Sequence, residues 1–318
     1  MDKKYLGSPI EVPAINFWNL CGFIASNNGR ICKIENNGKI EQFLKISGEI
    51  QCPIFYDKNY FYMITTQKML WRIHYLTAQV DTVPINTTCR GTPLIYNEKI
   101  YIPGLKEFVI IDQKNLLILN QMVLSNPIFA NAFLWKNFVI GICAVGEIIT
   151  AKQDNIISSF GFGPPVSETP LIFQITNEIY DIWCFGGYFQ SLLFAKVYYK
   201  NKKISIEPFK RLIFPKSTGI INIPLKIIEN LWTISCHRCN VFFFTSKQLY
   251  NIFETNSTED FKVISTILQP ENSSLVQPKF YQISKSPGFL FFSTRNDSVV
   301  LMDISELLLP KNNLIKSL

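Results

Sequence analysis

Seven repeats, each holding about four short apolar strands divided by Gly, Asn, Asp and Pro turns, predict an all-β chain folded as a seven-bladed β-propeller. Three observations lead there. Anchors recur at Pro13, Pro53, Pro93, Ala132, Pro170, Pro224 and Pro278, separated by 40, 40, 39, 38, 54 and 54 residues. Each anchor restarts the same cycle of strand, polar turn, strand, turn and strand. Finally, Val241-Phe242-Phe243-Phe244 and Phe289-Leu290-Phe291-Phe292 are continuous apolar runs, which suit sheets buried on both faces better than sheets with one wet face.

The units follow in order. After Pro13-Ala14-Ile15, strands are expected at 22–25, 30–34 and 40–44, divided by the turns Asn27-Asn28-Gly29 and Asn36-Asn37-Gly38. Pro53-Ile54-Phe55-Tyr56 opens the second unit, with strands at 60–65, 69–75 and 79–85. Pro93-Leu94-Ile95-Tyr96 opens the third, with strands at 99–102, 108–112 and 116–122. Ala132-Phe133-Leu134-Trp135, Pro170-Leu171-Ile172-Phe173, Pro224-Leu225 and Pro278-Lys279-Phe280-Tyr281 open the rest. The fifth and sixth units are longer. No segment keeps a helical period over three turns, and 305–309 holds one turn at most. A large β-sandwich, or two small β domains, is the competing architecture; the even anchor spacing speaks for one propeller over residues 1–318.

Composition agrees with a large core. Hydrophobic residues make up 47% and aromatics 14%, against 17% charged, enough apolar surface to offset chain entropy and to exclude a disordered chain. The stretch 182–195 is interrupted by Gly186, Gly187, Gln190 and Ser191 and falls short of the roughly 20 residues of a spanning helix. Residues 1–17 lack the apolar core of a signal peptide. A cytoplasmic protein without a membrane partner is expected, with its eight cysteines as free thiols and the Asn86, Asn256, Asn272 and Asn296 sequons unused.

The cycle resembles the pyrroloquinoline-quinone-like (PQQ-like) propeller repeat, through Ile34-Glu35-Asn36-Asn37-Gly38-Lys39-Ile40, Ile110-Ile111-Asp112 and Leu301-Met302-Asp303. Two stretches look more narrowly like the C-terminal propeller of the beta-alanine-activating enzyme, of the aminoadipate-semialdehyde dehydrogenase family. These are the junction from Asn155-Ile156-Ile157 through Gly163-Pro164-Pro165 to Pro170, and the final Ser293-Thr294-Arg295-Asn296-Asp297-Ser298-Val299-Val300-Leu301-Met302-Asp303. The chain departs from the family where Gln42 and Ser159 stand at positions usually held by Trp. True quinoproteins of this repeat hold their quinone with a vicinal disulfide, a stacking Trp and a calcium ion. This chain has no adjacent cysteines and no recognisable calcium cluster, so no cofactor is expected.

Chemistry-bearing motifs are sparse. Cys236-His237-Arg238-Cys239 is the sharpest, a metal candidate through Cys236 and Cys239. Zinc needs four ligands, however, and neither a second such pair nor a histidine other than His74 and His237 exists. The plain alternative is a structural pair at a hairpin junction. Gly161-Phe162-Gly163 runs into Pro164-Pro165 and reads as a turn, not a phosphate loop. No catalytic residue is assigned, since neither a nucleophile elbow nor a zinc-protease helix occurs. Charge is more telling: Lys196, Lys200, Lys202, Lys203, Lys210, Arg211 and Lys216, against Glu207 alone, account for six of the net +7. Interleaved with Tyr198, Tyr199, Phe209 and Phe214, they read as a patch for a protein partner, acidic or a carrier-protein domain, or else as a solvated hairpin. A nucleic-acid partner is not expected. Three function classes stand open: a non-catalytic scaffold, the terminal module of a carrier-protein-dependent adenylating enzyme, or a propeller enzyme with a central-funnel site.

Overall fold

Within two residues of every anchor the chain enters the first strand of a sheet. The computed structural model describes residues 3–5, 15–17, 21–35, 39–159, 169–175, 178–200, 203–214, 219–228, 231–236, 241–247, 279–281, 289–293 and 298–303. Strand β1 (Lys3–Tyr5) comes first. The first sheet is β2 (Ile15–Phe17), β3 (Cys21–Ala25), β4 (Arg30–Glu35) and β5 (Ile40–Lys45). The second is β6 (Phe55–Tyr56), β7 (Tyr60–Ile64), β8 (Met69–His74) and β9 (Val80–Pro84), and the third is β10 (Leu94–Tyr96), β11 (Lys99–Pro103), β12 (Glu107–Asp112) and β13 (Ile118–Val123). The fourth comprises β14 (Phe133–Trp135), β15 (Phe138–Ile142), β16 (Ile148–Lys152) and β17 (Asn155–Ser159). The fifth comprises β18 (Leu171–Phe173), β19 (Tyr180–Phe189), β20 (Ser191–Lys200) and β21 (Lys203–Ile213), with β22 (Ile220–Ile221) pairing on β19. Strands β23 (Leu225–Ile228), β24 (Leu231–Ser235) and β25 (Val241–Thr245) form the sixth. Last come β26 (Lys279–Tyr281), β27 (Phe289–Ser293) and β28 (Ser298–Asp303). Among the described residues this makes seven antiparallel sheets, in each of which strands consecutive in sequence lie side by side, β22 excepted.

Local chemistry explains the tight turns. Asn97-Glu98 and Lys136-Asn137 each place two successive residues at positive φ (48° and 58°; 47° and 66°), the two-residue turn whose twist matches its flanking strands, with Asn tolerating the left-handed conformation. Asp112 ends β12 because its Oδ1 accepts the amides of Lys114 (3.0 Å) and Asn115 (2.9 Å), drawing the backbone out of the ladder. His74 holds the matching place in the second sheet, its Nδ1 accepting the Thr77 amide at 3.3 Å.

Packing explains the apolar runs. On the third sheet, Ile100, Ile102, Val109 and Ile111 pack with Tyr62, Ile64 and Leu70 of the second, whereas Tyr101, Phe108 and Ile110 pack with Val139, Ile149 and Ala151 of the fourth. Successive residues of one strand thus enter different cores. The fourth sheet turns Phe133, Trp135, Ile140 and Ile142 toward Trp183, Phe185, Ala195 and Val197 of the fifth. The fifth in turn sends Ile182, Cys184, Leu192 and Phe194 against Trp232 and Ile234 of the sixth. Each fully buried Ile, Leu or Phe contributes about 1.5–3 kcal/mol of transfer free energy.

The residues just before the anchors join neighbouring sheets by polar contacts. Cys52 Sγ donates to the Gly91 carbonyl at 3.4 Å, and Cys89 Sγ donates to the same oxygen at 2.8 Å. The Thr92 amide donates to Asn131 Oδ1 at 2.7 Å, the Asn131 amide to Thr169 Oγ1 at 2.8 Å, and the Ala132 amide back to the Thr92 carbonyl at 3.0 Å. Cys52, Thr92, Asn131 and Thr169 are one repeat apart, so the segments leading into the second, third, fourth and fifth sheets are tied in succession at the same level.

The last sheet departs from the expected plan. Its fourth strand comes from the start of the chain: β1 pairs antiparallel with β28, Lys3 opposite Val300 and Tyr5 opposite Ser298. A sheet assembled from both chain ends covers an edge that would otherwise stay open.

Gly91 gives a direct check on the ties between sheets. A Cβ there would lie 1.9 Å from the Ala130 carbonyl oxygen, so Gly91→Ala must push two anchor segments apart. The expected outcome is a lower urea midpoint worth about 1–3 kcal/mol; an unchanged midpoint would mean that the segments separate freely.

Candidate functional site

The described part of the basic segment lies on the longest of the described strands. Strands β19, β20 and β21 run for 10, 10 and 11 residues, where the corresponding strands of the second, third and fourth sheets have five or six. Ten cross-strand pairs join β20 to β21, from Ser191 opposite Ile213 to Lys200 opposite Lys203, with a register shift between Phe194 and Ala195. The segment is therefore a hairpin, as its sequence predicts.

That register divides the patch. Lys196 stands opposite Glu207 and Lys210 opposite Phe194, which puts Lys196 and Lys210 on the face whose inner part meets the sixth sheet. Arg211 stands opposite Leu193, on the face that meets the fourth sheet. It is exposed, and its Nε donates to Ser191 Oγ at 3.0 Å. Lys200 and Lys203 are paired at the hairpin end. Lys202 and Lys216 lie outside the described residues, as do Cys239 and Gly161-Phe162-Gly163.

Lys196 is the centre of the described part. Its ammonium sits 4.8 Å from the Tyr180 ring centroid and 5.8 Å from that of Phe209, a cation held between two aromatic faces. The Tyr180 and Tyr198 rings are 5.5 Å apart, and the Tyr198 hydroxyl donates to Glu207 Oε2 at 3.2 Å. Burial pulls the Lys210 ammonium below the ordinary lysine value. Phe209 stays 39% exposed and Ile213 63%, so aromatic, aliphatic and cationic groups share one accessible strand edge. Tyr199 and Phe214 belong elsewhere. Tyr199 packs edge-on to Trp135, with centroids 6.4 Å apart, and Phe214 is buried in the core between the fifth and sixth sheets.

Cys236 is fully buried in that same core with Cys184, and bridges Ile221. His74 lies on β8. Among the described residues no group of three or more His, Cys, Asp or Glu is placed to hold a metal ion, and no helix is long and apolar enough to cross a membrane. Among the described residues, the cysteines at 32, 52, 89, 143, 184 and 236 are buried.

One feature escaped the sequence reading. A cavity of about 330 Å³ opens between the third and fourth sheets, lined by Tyr96, Lys99, Tyr101, Lys152 and Gln153 among others. Its only signal in the sequence is a difference between repeats.

No family model matches the chain, and no curated protein matches it. Solved structures do. BamB from Moraxella catarrhalis aligns at a TM-score of 0.57 and 10% identity, over 93% of this chain and 83% of that one. The WD40 β-propeller domain of Doa1 aligns at 0.63 and 9% identity, over 94% and 93%. The N-terminal domain of Nup159 aligns at 0.50 and 11% identity, over 94% of both chains. At such identities the likeness concerns the fold: the chain folds as a β-propeller.

The burial of Cys236 sets a test of the cysteine pair. Replacing Cys236 with Ser puts a hydroxyl into an apolar core and is expected to lower unfolding free energy by about 1–3 kcal/mol. Metal content should be unchanged, with no stoichiometric zinc before or after. Zinc present at one equivalent in the wild type and lost in the variant would contradict a structural role.

Proposed function

We propose that this chain is a non-catalytic propeller, one ring over residues 1–318, that binds a protein through the basic hairpin of its fifth sheet. The observation that carries the reading is Lys196, held between Tyr180 and Phe209 on strands lengthened beyond those of the second, third and fourth sheets. Repeat architectures place insertions on one face, often the binding face. Aromatic residues beside a cation on an accessible edge supply contact area and orientation at interfaces. The segment's net charge selects an acidic partner and speeds encounter more than it deepens affinity.

A carrier-protein domain is the acidic partner that the beta-alanine-activating enzyme resemblance implies. That finer reading rests on the junction at 155–170 and the final 293–303 alone; adenylation and carrier chemistry would lie in other domains.

Charge reversal tests the surface. Lys200→Glu, Lys202→Glu and Lys203→Glu together should leave the fold intact, as an unchanged thermal melt would show. Association with the affinity-purified partner should slow at least about tenfold at low salt and hardly at high salt, since the Debye length falls from about 30 Å at 0.01 M to about 3 Å at 1 M. An unchanged on-rate at low salt would place the binding face elsewhere.

A further inference from the structure

The repeats provide an internal control for the cavity between the third and fourth sheets. The matching position between the second and third sheets is filled. There Tyr62, opposite Arg72 on the neighbouring strand, donates its hydroxyl to Asp57 Oδ2 at 2.6 Å, and Gln113 Nε2 donates to the same oxygen at 2.5 Å. Arg72 completes the plug: Nη1 donates to the Gln113 and Lys114 carbonyls at 2.9 Å each, Nε and Nη2 bond Asp81 Oδ2 at 3.0 and 2.8 Å, and the guanidinium lies 5.0 Å from the Tyr60 ring centroid.

One repeat later the pairing puts Tyr101 where Tyr62 stands, opposite Ile110 where Arg72 stands, which is in turn opposite Asn120 where Asp81 stands. Tyr96, which pairs with Lys99 across its turn, takes the place of Asp57, whose amide bonds the Tyr60 carbonyl. Gln153 follows the third strand of its sheet as Gln113 does. Both donor types of the plug are kept, the phenol and the glutamine, while its arginine and both carboxylates are gone. Here the Tyr101 hydroxyl reaches the Gln153 carbonyl at 3.3 Å, and the cavity of about 330 Å³ opens beside it, within the size range of small-ligand sites.

The residues lining that space are cationic or neutral, and the nearby Asp154 carboxylate is paired with one of them. Lys99 lines it and is held by Asp154 at 2.6 Å; Lys152 lines it as well, its ammonium 5.4 Å from the Phe138 ring centroid. Burial, with the Asp154 charge and Tyr96 adding, raises the Tyr101 pKa above its ordinary value, so the phenol keeps its proton at neutral pH and can donate.

We infer that this cavity binds a small free carboxylic acid, whose carboxylate takes the place that Asp57 occupies one repeat earlier, accepting from Tyr101 and Gln153 with Lys152 at the rim. The site is separate from the basic hairpin and does not depend on it.

Calorimetric titration of the full chain with succinate tests the inference, with inorganic phosphate at equal ionic strength and the capped residue acetyl-glutamyl-amide in parallel. Saturable succinate binding is expected, at least about tenfold tighter than phosphate. Tyr101→Phe, which keeps the ring and removes the donor, should weaken it about tenfold, the factor carried by one hydrogen bond to a charged group. The double change Tyr96→Asp with Ile110→Arg rebuilds the plug and should abolish binding. Thermal melts of both variants establish that they are folded, and the phenylalanine variant carries the test alone if the double variant is not. Absence of saturable binding to the wild type, equal affinity for phosphate, or undiminished binding in Tyr101→Phe would each overturn the inference. Capped glutamate binding ten times more tightly than succinate would overturn the free acid as ligand in favour of a protein side chain.

Discussion

Burial of both faces of a sheet by its neighbours, seen in the second to fifth sheets, is the constraint on which the rest of this molecule depends. Because side chains alternate along a strand, Ile110 and Ile111 serve two different cores although they are adjacent in sequence. Neither core can be completed by one repeat. A strand that must satisfy two neighbours has no polar face to spare, which is why the chain is rich in Ile, Phe and Tyr without clean alternation. The same demand leaves an end sheet unfinished until something pairs with it. Strand β1, lying on β28, meets that need by pairing Lys3–Tyr5 with residues 298–300.

Polar contacts at the sheet junctions then set where the molecule has room. The anchors repeat one solution, a short side chain or thiol bonding across to the next segment, and the close approach at Gly91 leaves no space for variation. On the other side of the sheets, where the hairpin turns lie, the solutions differ. An arginine and two carboxylates fill the junction of the second and third sheets, and a cavity stands at that of the third and fourth. That of the fourth and fifth is closed by a buried Asp181, which accepts from Trp135 Nε1 at 2.6 Å and lies 3.7 Å from Lys136 Nζ. The two sites proposed above both lie where the repeat is broken, at a missing plug and in a lengthened hairpin, while the apolar faces are held in common.

Much of the fold was legible because strand and turn signals are local. Anchors at Pro53, Pro93, Ala132 and Pro170 each sit one or two residues before a first strand, and the expected strands at 30–34, 40–44 and 108–112 match β4, β5 and β12 within one residue at either end. Strand β1 was not legible, since Lys-Lys-Tyr has no pattern and its partner lies almost the whole chain away. The basic hairpin was visible as a charge run, but its division into two faces was not. The register shift between Phe194 and Ala195 is a property of the paired strands, not of either one. Nor could composition reveal the cavity, which follows from Ile110 standing where a neighbouring repeat has Arg72. That comparison requires the strand register as well as the sequence.

The account is tested most directly by two alanine substitutions at neighbouring positions, Ile110→Ala and Ile111→Ala, each measured by equilibrium urea unfolding. Both side chains are fully buried, but in different cores. Sheets packed on both faces predict that each change costs about 2–5 kcal/mol. A sheet with one wet face would tolerate one of the two within about 0.5 kcal/mol, and that result would contradict the packing described.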